Sequence, residues 1–325
     1  MHKEISIFCS DIGRNNLLVQ GAGGNVSWKN KDILNVKASG TWLSDAFDQD
    51  IFVSLDLKKI KQALLEGHFN FQLEALNQDL KKPSIETILH VLMPHTVVVH
   101  LHMVEVLVHT LKKNFNFYEF LHDFTFSYKV INYIQPGPSL AKAIFLSLQE
   151  QQYPDILFLK NHGVVIGGSD INDIKNKITA LENQFKTTIN DINNKLPNHS
   201  EASEYNLIDD IEAQQIVFNE HLFSRLKSSW ALYPDHIVFL GSKPYIYDSW
   251  NLFNETSDNP ELIFIKNCGI YAKKDFNKTK AIQLRCYFDI IIRINEADLL
   301  DTLDHVEISN LLNWDSEKYR ISISK

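Results

Sequence analysis

The run Thr96-Val97-Val98-Val99-His100-Leu101-His102 constrains this chain more than any other stretch. Three consecutive valines favour an extended backbone, because β-branched side chains crowd a helix and pack well on a pleated surface. A strand apolar at successive positions has no polar face for water, so this run is expected to be a buried strand. A second run, Ile156-Leu157-Phe158-Leu159, has the same character and ends in Asn161-His162-Gly163.

Helical patterns separate these strands. Residues 1–20 read as an amphipathic entry, and residues 55–79 have helical spacing. Between them a glycine-rich turn, Gly21-Ala22-Gly23-Gly24, leads to two short strands at Val26–Trp28 and Ile33–Val36. Pro83 forces an extended predecessor and Ser84 is a good N-cap, so a helix is expected to start at 84–85. Further helices are expected at 103–112, after a Ser139 cap, and from Ser169 or Asp170 through Ile192. The polar stretch Asn193–Ser203 reads as a linker, giving units at 1–195 and 204–325.

The second unit is expected to open with a helix at 205–228. It then repeats an earlier pattern: Leu262–Ile270, LIFIKNCGI, matches Ile156–Val164, ILFLKNHGV. A strand at Pro234–Val238 would match Pro94–Val98. The pair reads either as a degenerate half-repeat or as coincidence. Cys268 stands in the second copy where His162 stands in the first.

A formal net charge of -8 disfavours binding to a phosphate backbone, which needs clustered Lys and Arg, so no nucleic-acid partner is expected. The three cysteines are far apart, with no CxxC pair, which points away from a disulfide framework or thiolate metal site. No signal peptide is visible and no window reaches eighteen uninterrupted apolar residues. A cytoplasmic chain without a membrane span is the expectation.

The chemistry concentrates on three histidines. Residues i and i+2 of a strand share one side, so His100 and His102 can both reach one metal ion. They can equally be two satisfied core histidines. His162, at the end of the second strand, supplies a third imidazole, and three neutral imidazoles with an open fourth position suit a catalytic zinc. Glu86 offers a carboxylate just upstream. The Lys37-Ala38-Ser39-Gly40-Thr41 segment can cradle a phosphate or carboxylate, or be a plain turn after a strand.

The order Gly-Gly-Asn-Val-Ser (23–27), Lys-Ala-Ser-Gly (37–40), Pro-Ser-Ile-Glu-Thr-x-x-His (83–90), His-x-His (100–102) and Asn-His-Gly (161–163) resembles class II aldolase/adducin proteins. Within that group it is most similar to the aldolase portion of bifunctional rhamnulose-1-phosphate aldolase/alcohol dehydrogenases. The resemblance implies an α/β fold: a central β-sheet flanked by helices, here with a C-terminal α/β extension. It implies Zn2+, or another divalent metal, on His100, His102, His162 and Glu86. Glu86 would also be the general acid/base, and Asn25, Ser39, Gly40 and Ser84 would bind substrate.

The implied reaction is retro-aldol cleavage of a ketose, a sugar or sugar phosphate, through a metal-stabilised enediolate. Epimerase, dehydratase and decarboxylase chemistry on the same site, and a non-catalytic adducin-like scaffold, are the alternatives. A homo-oligomer is implied, the family's usual form being a fourfold tetramer. The chain departs from the pattern in Ile85, where related aldolases have a second serine, and in Met103-Val104 after the second histidine. A catalytic tyrosine, if present, has candidates in Tyr118, Tyr128 and Tyr133. His90, one helical turn from Glu86, is a candidate to orient it.

Overall fold

The computed structural model describes residues 2–76, 81–148, 153–192, 195–200 and 202–324. The first half runs α1 (His2–Gly13), β1 (Asn25–Asn30), β2 (Ile33–Lys37), β3 (Phe52–Asp56), α2 (Leu57–Leu65), α3 (Thr87–Leu92), β4 (Val97–Leu101), α4 (Val104–Thr110), α5 (Phe117–Phe120), β5 (Tyr128–Ile131), α6 (Pro138–Leu148), β6 (Ile156–Leu159), β7 (Gly163–Gly168) and α7 (Ile171–Gln184). The second continues through β8 (Tyr205–Leu207), α8 (Glu220–Ser228), α9 (Pro234–Leu240), β9 (Ile246–Tyr247), α10 (Trp250–Asn254), β10 (Leu262–Ile265), β11 (Gly269–Lys273), α11 (Lys278–Ile291), α12 (His305–Asn313) and α13 (Asp315–Ile323).

The seven strands β1–β7 form a mixed sheet in the order β3-β2-β1-β4-β7-β6-β5. The triple-valine strand β4 lies at its centre, between β1 and β7, and is buried at every position. Alternate residues explain why. Val97, Val99 and Leu101 enter a core with α1 and α7, whereas Val98 enters a second core with α2, α3 and α6. Helices therefore cover both faces, as an α/β layer arrangement requires. The second sheet has the order β8-β11-β10-β9. Its core takes in Val104, Leu107, Val108 and Leu111 from α4 and its C-cap, so apolar packing is shared between the two halves of the chain.

Several elements differ from expectation. The α3 helix starts at Thr87, because Ser84 Oγ accepts from the Glu86 backbone N–H at 3.2 Å and closes a local turn instead of capping. The helix expected through Ile192 ends at Gln184, and beyond it Thr187 donates its N–H and hydroxyl to the Glu105 carboxylate, drawing the chain away. Residues 205–207 are a strand, not helix, paired antiparallel with β11. The region 66–76 carries no helix beyond Leu65, and residues 77–79 of that expectation lie outside the described residues. The linker reading at 193–203 falls partly outside them too. Its Asn198 is tied to the second sheet, donating N–H to Cys268 O and accepting from Tyr271 Oη.

The repeat reading divides. Both hairpins exist, with Asn161 and Asn267 at φ 52° and 55° and the same turn bonds, His162 N–H to Leu159 O and Cys268 N–H to Ile265 O. Pro234–Val238, however, is helical, with Pro234 in the first turn, where a missing N–H costs nothing. The strand-for-strand part of the match is therefore overturned.

Two fully buried histidines predict an acid response. Burial lowers the rings of His90 and His236 from 6.5 to about 3. Below 6.5 the unfolded chain binds protons that these folded rings refuse. Stability is then fully present above 6.5 and falls with decreasing pH, by at most about 1.4 kcal/mol per pH unit for each ring. Urea unfolding of the metal-free chain at pH 7 and pH 5 should show the loss. An unchanged midpoint would contradict the buried, neutral state of both rings.

Candidate metal centre

The antiparallel pairing of β1 with β4 sets Asn25 directly opposite His100. Both side chains project to the face that carries α3, since Ser27 and Val98 pair in the same alternation. Glu86, just before α3, comes down onto that face. Asn25 Nδ2 donates to Glu86 Oε2 at 2.9 Å, and His100 Nε2 lies 3.4 Å from the same oxygen. The β6–β7 turn brings in the third histidine. Gly163 is needed there for close approach: a Cβ on it would lie 2.3 Å from Leu101 O. His162 Nε2 consequently stands 3.1 Å from Glu86 Oε1.

His102 lies one residue past β4, yet its Nε2 is 3.1 Å from His100 Nε2. All three imidazoles offer nitrogens within 4.8 Å of one another, and all are buried. Burial lowers His100 to about 4 and His102 to about 3, so both are neutral at pH 7 and their lone pairs are free to ligate. Burial pushes the Glu86 carboxyl up, but His100, His162 and His102 together outweigh it and hold the group well below the usual carboxylate range.

The donor set fits a metal ion. His100 Nδ1 points at the Val164 carbonyl, 3.2 Å away, and a carbonyl can only accept. That ring therefore carries its hydrogen outward and turns an Nε2 lone pair toward His102 Nε2. His102 Nε2 stands 3.1 Å from the His100 nitrogen, a distance that suits an N–H donated by His102 and equally suits two nitrogens on one ion. Nitrogens bound at about 2.0–2.1 Å around a tetrahedral ion lie roughly 3.3 Å apart, close to the 3.1 Å between the His100 and His102 Nε2 atoms. Glu86 Oε1, with no hydrogen-bond partner among the described residues, lies 3.1 Å from His162 Nε2.

The proposed substrate residues gather around this centre. Asn25, Ser39, Gly40, Ser84, Glu86, His102 and His162 line one small cavity of about 20 Å³, roomy enough for about one water. Lys37 also lines this cavity, and its amine donates to Ala22 O at 2.9 Å and Thr41 O at 2.6 Å, bracing the two loops. His90 does not orient Glu86, since its Nδ1 meets Ser27 Oγ at 2.8 Å. Tyr118, Tyr128 and Tyr133 do not line the cavity.

The C-terminal helix α13 closes the site, which nothing local in the sequence indicated. Ile323 sits over Gly40, where a Cβ would come within 2.1 Å of its Cδ1. Arg320 forms a two-point ion pair with Asp235, at 2.9 and 3.1 Å, and also binds Glu317. Asp235 Oδ2 lies 3.6 Å from His102 Nδ1. These charges sit in segments far in sequence from the histidine motifs, Asp235 in one that the sequence suggested as a strand.

Comparison with known proteins decides the family. The family described as Class II Aldolase and Adducin N-terminal domain matches residues 3–189, more than half of the chain. This chain belongs to that family. No curated protein matches it. Among solved structures it is similar to the N-terminal class II aldolase domain of a conserved protein from Thermoplasma acidophilum, at 22% identity over 56% of this chain and 91% of that one, with a TM-score of 0.47. It is also similar to YgbL, a putative aldolase/epimerase/decarboxylase from Escherichia coli, at 18% identity, covering 57% and 86%, TM-score 0.45. A sugar-phosphate aldolase from Thermotoga maritima matches at 16% identity, covering 57% and 91%, TM-score 0.45. In this class II aldolase family chain, no helix among the described residues is long and apolar enough to cross a membrane.

Proposed function

We propose that this protein is a metal-dependent carbon–carbon lyase that cleaves a ketose, a sugar phosphate in the first instance, by a retro-aldol reaction. His100, His102, His162 and Glu86 would hold the ion, with zinc the choice for three imidazoles and a carboxylate. The observation that carries the reading is the convergence of three buried imidazoles, their nitrogens within 4.8 Å of one another, with the Glu86 carboxylate 3.1 and 3.4 Å from two of them.

Bound there, the metal would supply Lewis-acid stabilisation of negative charge developing on substrate oxygens. The chain's own residues do the rest. Glu86 moves the proton at the carbon that becomes nucleophilic, with Asn25 Nδ2 holding its Oε2 in place. Ser39, Gly40 and Ser84 bind the far end of the substrate through hydroxyl and backbone groups. Residues 1–195 carry these groups, and 204–325 wall the site. A ketose does not fit into about 20 Å³, so the cavity has to widen for entry. Closure afterwards would exclude water from the reacting centre.

The test is a panel of ketoses and ketose 1-phosphates incubated with zinc-loaded protein, with aldehyde release followed by a coupled reductase. Aldehyde from a ketose phosphate supports the reading. Stereochemical inversion or carbon dioxide release without aldehyde would transfer the site to epimerase or decarboxylase chemistry. Full activity after exhaustive chelation would remove the metal from the reaction.

A further inference from the structure

We propose that Asp235, from the C-terminal half of the chain, is a positioning residue for His102, holding its outward nitrogen so that Nε2 is the metal-facing atom. The proposal rests on the reading above that the three histidines hold a metal. It concerns a residue outside the stretch 3–189 that matches the family, and a part of the chain the sequence presented as a separate unit.

Three observations carry it. His102 is 3% exposed and its Nδ1 has no hydrogen-bond partner among the described residues, yet a carboxylate oxygen of Asp235, itself 3% exposed, stands 3.6 Å away. That distance is ion-pair range, and a small tilt of the ring closes it to a hydrogen bond. Second, Asp235 is not free to turn elsewhere. Arg320 grips both its oxygens, at 2.9 and 3.1 Å, in the fork geometry that fixes a carboxylate's plane. Third, the space beside the pair is kept clear by Gly23, whose φ is ordinary and whose lack of a side chain is steric. A Cβ there would meet Asp235 Oδ2 and His102 Nδ1, each at 3.0 Å, and Gln20 O at 2.9 Å.

The arrangement parallels His100, whose Nδ1 faces the Val164 carbonyl at 3.2 Å. Acceptors on the outward nitrogens of ligating histidines fix the tautomer and ring angle and raise ligand basicity. The chain around Asp235 is anchored to the histidine turn as well: Asn161, next to His162, donates its side-chain N–H groups to Leu232 O at 3.0 Å and Asp301 O at 2.8 Å. The C-terminal half thus completes the metal centre rather than regulating it from a distance.

The experiment is zinc affinity of the full chain, by competition with a chromogenic chelator, for wild type, Asp235→Asn and Ile323→Ala, with the thermal midpoint of each metal-free chain as control. Asp235→Asn is expected to weaken zinc about 10- to 100-fold while keeping its midpoint, in line with losses of such outer partners. Ile323→Ala trims only the apolar contact of α13 with Gly40, keeps the Arg320–Asp235 pair, and should bind zinc like wild type. Equal affinities in wild type and Asp235→Asn would overturn the proposal while leaving the metal site standing. An equal loss in Ile323→Ala would assign the effect to helix docking and overturn it too. If wild type binds no zinc, the functional reading fails first and takes the proposal with it. Should Asp235→Asn not fold, nitrogen-15 spectra of zinc-loaded wild type decide: a protected Nδ1–H on His102 supports the proposal, and a His102 ring bound through Nδ1 sinks it.

Discussion

A His100→Ala/His102→Ala chain is expected to fall from about one zinc per chain to none, and to lose at least about 10³-fold in turnover of its ketose. The two rings supply two of the three nitrogens that meet in the centre, and His162 alone cannot hold an ion against water. The fold should persist. His100 and His102 lie at the end of a strand whose valines keep both cores. Elemental analysis and circular dichroism on the same preparations check both halves. A variant that keeps its zinc, or that keeps full activity without it, would rule out this centre.

Glu86→Gln separates ligation from proton transfer. Gln has the same shape and can still accept from Asn25 Nδ2, which lies 2.9 Å from Oε2 in the native site. The three imidazoles remain, so zinc content should stay near one per chain. Turnover should nonetheless fall about 10²- to 10⁴-fold, because an amide cannot take the substrate proton. The KM should move far less than kcat. Equal loss of zinc and activity would instead trace the effect to ligation, and unchanged kcat would place the acid/base elsewhere.

Much of the centre was legible because its pieces are local. Two imidazoles at i and i+2 on a β-branched run, a histidine closing a second apolar run, and a carboxylate at a Pro-Ser-x-Glu turn are short patterns with direct geometric meaning. The triple valine determined a central strand, and the alternation Asn25, Ser27 against Val26, Trp28 followed from a period of two. Even the hairpin match between Asn161-His162-Gly163 and Asn267-Cys268-Gly269 survived, because a positive-φ asparagine in a tight turn is a local matter.

What failed depended on partners distant in sequence. Pro234–Val238 resembles Pro94–Val98 in residue type but folds as helix, since its neighbours in α11 and α13 offer side chains and not a strand edge. The bonds of the Lys37 amine to the Ala22 and Thr41 carbonyls were not legible in the sequence either. His90 lost Glu86 to the nearer hydroxyl of Ser27. The sequence by itself determined the buried strand, the three histidines and the family. Only the tertiary structure decided that Asp235 and Arg320, 85 positions apart, would meet behind His102 and that α13 would close the cavity, because a buried ion pair is selected by which charges the finished fold leaves no water to solvate.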